Sequence, residues 1–430
     1  METLKRIWNT KQLRKKILFT LGIIIIFRIA AHITVPGVDT SDLEKLFEGS
    51  GALSIFAALT GGSMKNFSIV MMGLAPYINA SIIVQLMTVV VPKLESWSKE
   101  GEQGQRKITN LTRWLTLPLA IAQSYGMIIL ISNSIPGTQG VIDVTNPAEV
   151  LPAMITIAAG TIFLVWLGEM ITEKGIGNGI SLLIFTGIIS SMPTVIGNIL
   201  AGVSFGSTEK ILPFIVFVAV TGGLLFLVTY IMASQRPIQI VNASRGTTGE
   251  QSTLPIRLLQ AGMIPIIFAV SLITFPGVIA QFTQKSQHEW LSSAAGWWAR
   301  HFSSGSPTLE YLVLYFALIV AFSYFYVSIT FRPEQVAENI QKRGGFIPGI
   351  RPGKDTARYL GFVSNRINLW GGSFLGLIAL VPLVFTMFTT LSQTDLIISG
   401  SGLIIVVGVV LELIRQINAH LVTHNYDKLG

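Results

Sequence analysis

His420 and His424 stand four residues apart near the end of the chain. On a helix that spacing puts both rings on one face, where they could share a metal ion. A tetrahedral site needs further ligands and none accompanies them, so a polar tail is the plainer reading. Gly175-Ile176-Gly177-Asn178-Gly179 has the glycine density of a phosphate-binding loop. It lacks the Lys-Ser/Thr that follows such a loop and the strand that precedes it, and so marks a sharp turn before an apolar segment. Glu169 and Glu173 fall at an expected helix end, where water solvates them. With no cysteine, the chain has no disulfide, thiolate metal site or cysteine nucleophile. These residues give no catalytic constellation, and we expect neither an enzyme nor a metal or cofactor.

The chemistry must therefore lie in the elements. Half of the 430 residues are hydrophobic, 12% are charged and mean hydropathy is +0.62. A soluble chain would carry about twice that charge. The class is an all-α polytopic membrane protein. Apolar runs near the length that crosses a bilayer place about ten spans. They fall near 17–35, 67–91, 112–132, 151–169, 180–199, 211–233, 257–281, 308–331, 367–388 and 396–416. The first run contains Arg28 and leads into Pro36-Gly37, so it reads as a span and not as a removable signal.

Lys and Arg fix the orientation. They concentrate before the first span, between spans two and three, and in connections near 234–256 and 332–366. The opposite side carries only Lys45, Lys65, Lys210, Lys285 and Arg300. Both termini are thus expected in the cytoplasm. The net charge of +8 belongs to this bias and does not imply nucleic acid. The loop Gly344-Gly345-Phe346-Ile347-Pro348-Gly349-Ile350-Arg351-Pro352-Gly353 is stiffened by Gly and Pro and is basic. It cannot lie in hydrocarbon, because its irregular backbone needs water or protein partners. It and the 234–256 connection read as a docking surface for a cytosolic partner, against the plainer reading that long loops are simply tolerated.

Ten spans divide into five and five, which suits two inverted halves, 1–200 and 201–430. Such an architecture serves a channel or a secondary transporter equally well. Polar residues within spans are few: Arg28, Asn79, Ser81, Gln85 and Gln123. They read as interhelical contacts, and their scarcity argues against ion-coupled transport. On the outer side, Leu53-Ser54-Ile55-Phe56-Ala57-Ala58-Leu59 is apolar but far too short to cross. It is either a re-entrant piece or a helix lying on the outer leaflet.

Several motifs in order give the chain a relationship. They are Phe27-Arg28-Ile29 with Pro36-Gly37, Pro76-Tyr77-Ile78 with Ala80-Ser81-Ile82-Ile83, and Lys99-Glu100-Gly101-Glu102. Then come Trp166-Leu167-Gly168-Glu169, Ile171 through Ser181, Gln251-Ser252-Thr253-Leu254-Pro255, Ala261-Gly262 with Ile264-Pro265, and the loop through Arg351-Pro352-Gly353. Over roughly residues 5–425 the chain resembles the SecY family of bacterial protein-translocation channels.

That resemblance implies a protein-conducting channel for unfolded secretory chains, with a lateral gate that releases apolar segments into lipid. Spans two and three would face spans seven and eight across the gate. It implies a constriction ring of Leu74, Ile78, Ile180, Ile184, Met263, Ile267 and Ile405, and a plug containing Leu53, Ile55, Phe56 and Leu59. Gln85, Gln123 and Gln260 would line the gate; Arg245, Arg351 and Lys354 would meet the partner. The implied partners are the small subunits SecE and SecG, the SecA ATPase, the ribosome, signal peptides, nascent chains and membrane lipid. The implied location is the bacterial inner membrane. Departures from the family's pattern are a short 242–250 loop without a basic tip, Gln105 before Arg106, and Leu259-Gln260 at the gate.

Overall fold

The computed structural model describes residues 10–36, 63–64, 66–134, 146–202, 208–242, 251–283, 289–301, 308–388 and 400–426. The helices are α1 (Lys11–Ala30), α2 (Ala75–Val90), α3 (Pro92–Lys99), α4 (Glu102–Ser134), α5 (Pro147–Lys174), α6 (Gly179–Gly202) and α7 (Thr208–Ala233). After the strands β1 (Gln235–Asn242) and β2 (Gln251–Arg257) come α8 (Ile264–Thr283), α9 (Glu289–His301), α10 (Leu309–Thr330) and α11 (Pro333–Lys342). Strand β3 (Gly345–Phe346), α12 (Lys354–Phe388) and α13 (Gly400–Tyr426) complete the order. Each of the ten expected spans overlaps one of these helices.

Local chemistry sets the helix ends. Asn146 caps α5, its Oδ1 accepting from the Ala148 N–H at 3.1 Å, with Pro147 next to it. Thr308 caps α10 by accepting from the Tyr311 N–H at 3.3 Å. Pro92 has no N–H to continue α2, and the chain turns through 100° into α3. Pro333 likewise separates α10 from α11. Helices α4 and α12 start ten or more residues before the apolar runs they contain, and α13 runs past its own. Their polar extensions carry charge such as Glu102, Arg106 and Asp355.

Two expectations are corrected. The seventh apolar run begins at 257, but Arg257 still belongs to β2 and α8 begins only at Ile264. The second apolar run begins at 67, but its helix begins at Ala75. Residues 66–74 form turns, with Phe67 at φ 43° and Gly73 at φ 55°. This stretch is apolar because it is buried: Met64, Phe67, Val70 and Met71 are at most 1% exposed. Its backbone groups find protein partners, as irregular backbone away from water must. Val35 N–H donates to Phe67 O at 2.9 Å, Ile69 N–H to Ile33 O at 2.9 Å, and Ser68 Oγ to Ala30 O at 2.8 Å.

The outward surfaces are apolar. Ile25 and Ile29 of α1, Ile155 of α5, Phe226 of α7, Val313 of α10 and Leu377 of α12 are all exposed. Water would penalise such a belt, whereas hydrocarbon solvates it. Among the described residues four helices are long and apolar enough to cross a membrane, or five if the bent α2–α3 pair counts as one span. Shorter apolar stretches lie in α6, α7 and α8.

Helix contacts sort into two sets. In one, α5 packs on α1, α2, α4 and α6, and α4 on α2. In the other, α10 packs on α8 and α12, and α13 on α7 and α12. The sets meet along two edges: α6 with α13 on one side, and α2 and α4 with α8 on the other.

Gly160 of α5 makes the buried 63–74 stretch possible, because a Cβ there would lie 1.9 Å from Ile69 O. We expect Gly160→Ala to lower the thermal midpoint of the purified protein by several degrees. Gly22→Ala, where a Cβ meets nothing within 4 Å, should leave it unchanged or slightly raised. Detergent-solubilised thermal unfolding measures both.

Candidate functional site

Four separate parts of the chain deliver aliphatic side chains to one place. Leu74 and Ile78 stand one helical turn apart at the start of α2, the Ile78 N–H donating to Leu74 O at 3.0 Å. Ile180 and Ile184 are spaced alike on α6, and Met263 and Ile267 at the start of α8. Ile405 comes from the first turns of α13. All seven belong to a single apolar cluster, which also takes Ile23 and Phe27 from α1 and Leu164 and Ile171 from α5. Leu74 and Ile405 are buried, and the other five are half-buried.

Beside this cluster lies a cavity of about 320 Å³. Met263 and Leu182 form part of its apolar wall; Asn178, Arg257, Gln260, Glu412 and Arg415 supply polar wall. Arg257 and Glu412 approach to 3.9 Å, and Arg415 Nη2 donates to Met232 O at 2.9 Å. The arrangement is a hollow of mixed polar and apolar wall on one flank of an aliphatic cluster.

The 175–179 glycine turn positions α6 within it. Gly177 sits at φ 89°, and its N–H donates to Gln416 Oε1 of α13 at 2.8 Å. The Ile176 N–H donates to Thr20 Oγ1 at 3.1 Å, and the Gly179 N–H to Thr172 Oγ1 at 2.8 Å. A Cβ on Gly179 would fall 1.8 Å from Gly168 O. These backbone donors are taken up by protein groups, which is the work of a structural turn and not of a phosphate cradle. Glu169 is not merely solvated: Arg113 Nε of α4 donates to its Oε1 at 2.5 Å.

The three expected gate glutamines make no hydrogen bonds to one another among the described residues. Gln85 donates to Ser81 Oγ at 3.1 Å on its own helix. Gln260 accepts from Ser364 Oγ of α12 at 2.8 Å. Gln123 Nε2 is buried without a hydrogen-bond partner in the described structure. Sequence reading missed a buried polar pair nearby, Ser323 of α10 donating to Asn368 Oδ1 at 2.8 Å. Its signal was Ser364 and Asn368 at i, i+4 on an otherwise apolar helix.

The basic connections form a small folded unit. Strands β1 and β2 pair antiparallel from Gln235↔Arg257 to Val241↔Gln251, and β3 adds to β1 at Val241↔Phe346. The two connections therefore share one three-stranded sheet, in the order β2-β1-β3. Ile238, Ile256, Ile347, Leu360 and Val363 form its core. Gly349 at φ 80° and Gly353 at φ 94° allow the loop to turn back into α12. Arg351 and Lys354 point into solvent, and Arg351 O accepts from Thr356 Oγ1 at 2.8 Å. Arg245 and the expected plug residues Leu53, Ile55, Phe56 and Leu59 lie outside the described residues.

The SecY family profile matches residues 68–414. The chain belongs to the SecY family. Among curated relatives, the protein translocase subunit SecY of Streptomyces griseus is 40% identical over 98% of both chains. That of Corynebacterium glutamicum is 39% identical over the whole of both. A solved structure titled "The structure of a protein conducting channel" has a TM-score of 0.66 at 17% identity, covering 94% of this chain and 92% of its own. Sec61 in a canine ribosome–channel complex gives a TM-score of 0.63, also at 17% identity, over 94% of this chain and 92% of its own. At these identities the structures establish the fold, a polytopic helical membrane protein.

Ile347 ties the two connections together, being 5% exposed in the sheet core. Truncating such a residue typically costs about 2–5 kcal/mol. We expect Ile347→Ala to speed amide exchange across β1, β2 and β3 while exchange in α5 stays unchanged. Hydrogen–deuterium exchange in detergent micelles reads this out, and uniform protection in the variant would refute the shared core.

Proposed function

We propose that this chain is the pore-forming subunit of a bacterial protein-conducting channel. It passes unfolded secretory polypeptides across the plasma membrane and releases apolar segments sideways into lipid. The observation that carries the reading is the convergence of Leu74, Ile78, Ile180, Ile184, Met263, Ile267 and Ile405 in one cluster. A narrow aliphatic collar excludes ions by dewetting, yet its side chains can part and close again around a passing chain. The neighbouring cavity, whose wall includes Asn178, Arg257, Glu412 and Arg415, serves as a hydrated approach to it.

Residues 1–200 and 201–430 form the two halves in this reading. The gate is the seam where α2 and α4 meet α8. That seam supports the role because it is apolar: Ile82 of α2 packs into a cluster built from α8, α10 and α12. A signal segment in the seam would exchange protein contacts for similar ones. The segment 50–63 is assigned as the plug. The sheet and its loop, with Arg351, Lys354 and Arg245, form the docking surface on the cytoplasmic side, where both termini lie. The structures of relatives include ribosome-bound channels, which supports a ribosome as partner. SecA, SecE and SecG are proposed on family membership alone. The aliphatic cluster favours this reading over a secondary transporter, which needs a polar midplane site.

Translocation into proteoliposomes is the test. Vesicles holding the chain with SecE and SecG receive a signal-bearing preprotein, SecA and ATP. Signal- and ATP-dependent protease protection is expected, and Arg351→Glu should reduce it severalfold without loss of assembled complex. Saturable uptake of a small solute by the chain alone, without protection, would favour the transporter. Replacing Ile78, Ile184 and Ile267 together with Gly should raise ion conductance of the resting channel. A planar-bilayer recording with unchanged leak would overturn the ring assignment.

A further inference from the structure

The two edges where the helix sets meet are held differently. Beside the α6–α13 edge, the Gly177 N–H in the turn before α6 donates to Gln416 Oε1 at 2.8 Å, and Lys16 Nζ of α1 stands 3.5 Å from His420 Nε2 of α13. The opposite seam is apolar at its centre, but a hydrogen bond crosses it on the side of the basic connections. Arg332 Nη2 donates to Ser98 O at 2.7 Å and lies 3.4 Å from Ser98 Oγ.

Both partners have a physical reason to be there. Ser98 is in the last turn of α3, where carbonyls have no intrahelical donor and the helix dipole is negative. Arg332 is the N-cap residue of α11, where its own helix end repels a cation. Its side chain makes no cap hydrogen bond and reaches the α3 terminus instead.

The mechanical connections on each side are short. Helix α3 packs on α2 and α4. Helix α11 packs on α12 and β3. The leader of α8 is fixed to α12 twice, by Ser364 Oγ donating to Gln260 Oε1 and by the approach of Gly371, where a Cβ would lie 2.3 Å from Leu258 O. Parting α2 and α4 from α8 therefore moves α3 away from α11 unless the Arg332 bond holds.

We propose that Arg332 is a positioning residue that latches the seam shut through the Ser98 carbonyl, and that a partner on the β3 loop releases it by displacing α11. This rests on the reading of the seam as a lateral gate. The latch raises the cost of opening, and so sets how apolar a segment must be to enter. Without it, segments of lower apolarity suffice.

The absence of native cysteine makes a distance measurement clean. Spin labels go on Ser96→Cys of α3 and Asn339→Cys of α11, both exposed, in the full chain in lipid nanodiscs. In the same background Arg332→Ala is expected to lengthen and broaden the distance distribution. Ser98→Ala keeps the carbonyl and should leave the distribution unchanged, and Arg332→Lys should fall between. In proteoliposomes Arg332→Ala should speed transport of a preprotein with a shortened signal core by on the order of tenfold, from loss of one charge-assisted hydrogen bond. Transport of the intact preprotein should change by less than about twofold. A distribution identical to the parent's overturns the latch. A longer distance without faster transport of the weakened preprotein overturns its control of the gate. Failure of the parent to transport the intact preprotein sinks the channel reading instead, and the distance measurement still decides whether Arg332 holds α3 to α11.

Discussion

Ile78, Ile184, Ile267 and Ile405 meet in one apolar cluster although they come from four helices spread over more than 300 residues of sequence. Holding them there is the constraint that the other features serve. Helix α2 must begin at the cluster and not at the membrane surface, so the chain before it runs as buried irregular backbone clasped to Ile33 and Ala30. Helix α6 must begin beside α13, so a turn with a left-handed glycine ties its backbone to Gln416. Helix α8 must present Met263 and Ile267, so Gly262, at φ 60°, turns its leader inward and Gln260 anchors it on α12. Water cannot satisfy backbone groups at this depth, so each device supplies a protein partner instead.

Much of this was legible in the chain. Hydropathy located every long helix, because about twenty apolar residues have no other use in a polytopic protein. It misplaced the start of α2, because a run such as Met71-Met72-Gly73-Leu74 is equally apolar whether it faces lipid as helix or the protein interior as turns. Periodicity does not separate these cases when every side is apolar. The proposed ring positions do not follow from spacing, since Ile and Leu at i, i+4 occur throughout such helices; they rest on the order of motifs. The sheet was missed although Ile238, Ile240, Leu254 and Ile256 alternate with polar or exposed neighbours. A third strand of two residues carries no sequence signal, and pairing between residues just over a hundred positions apart, Val241 with Phe346, is a tertiary fact.

The shared sheet alters the meaning of the two basic connections. As separate loops they would present charge independently. Joined through Val241↔Phe346 and the Ile347 core, they behave as one body continuous with α12. A load applied at Arg351 is then transmitted to the helix that anchors Gln260 and packs against α10 and α13.

The distribution of polar contacts between the helix sets gives that load a direction. In lipid, apolar helix faces gain little from each other beyond what acyl chains offer, so contact along the α2–α8 seam is exchanged for lipid or for an apolar segment at small cost. A hydrogen bond between the sets adds a directed tie that apolar contact lacks, and breaking it costs its net stabilisation. The α6–α13 edge is tied by the Gly177–Gln416 bond, next to the turn that fixes α6. The same protein thus has one edge whose apolar centre separates cheaply once the Arg332–Ser98 bond is released, and one tied beside its central turn. In the proposed channel, parting at the first edge would rotate the sets about the second. The aliphatic cluster is fed from both sets, by α2 and α6 on one side and α8 and α13 on the other, so such a rotation would widen it. A sideways opening and a widened centre would then be two aspects of one motion.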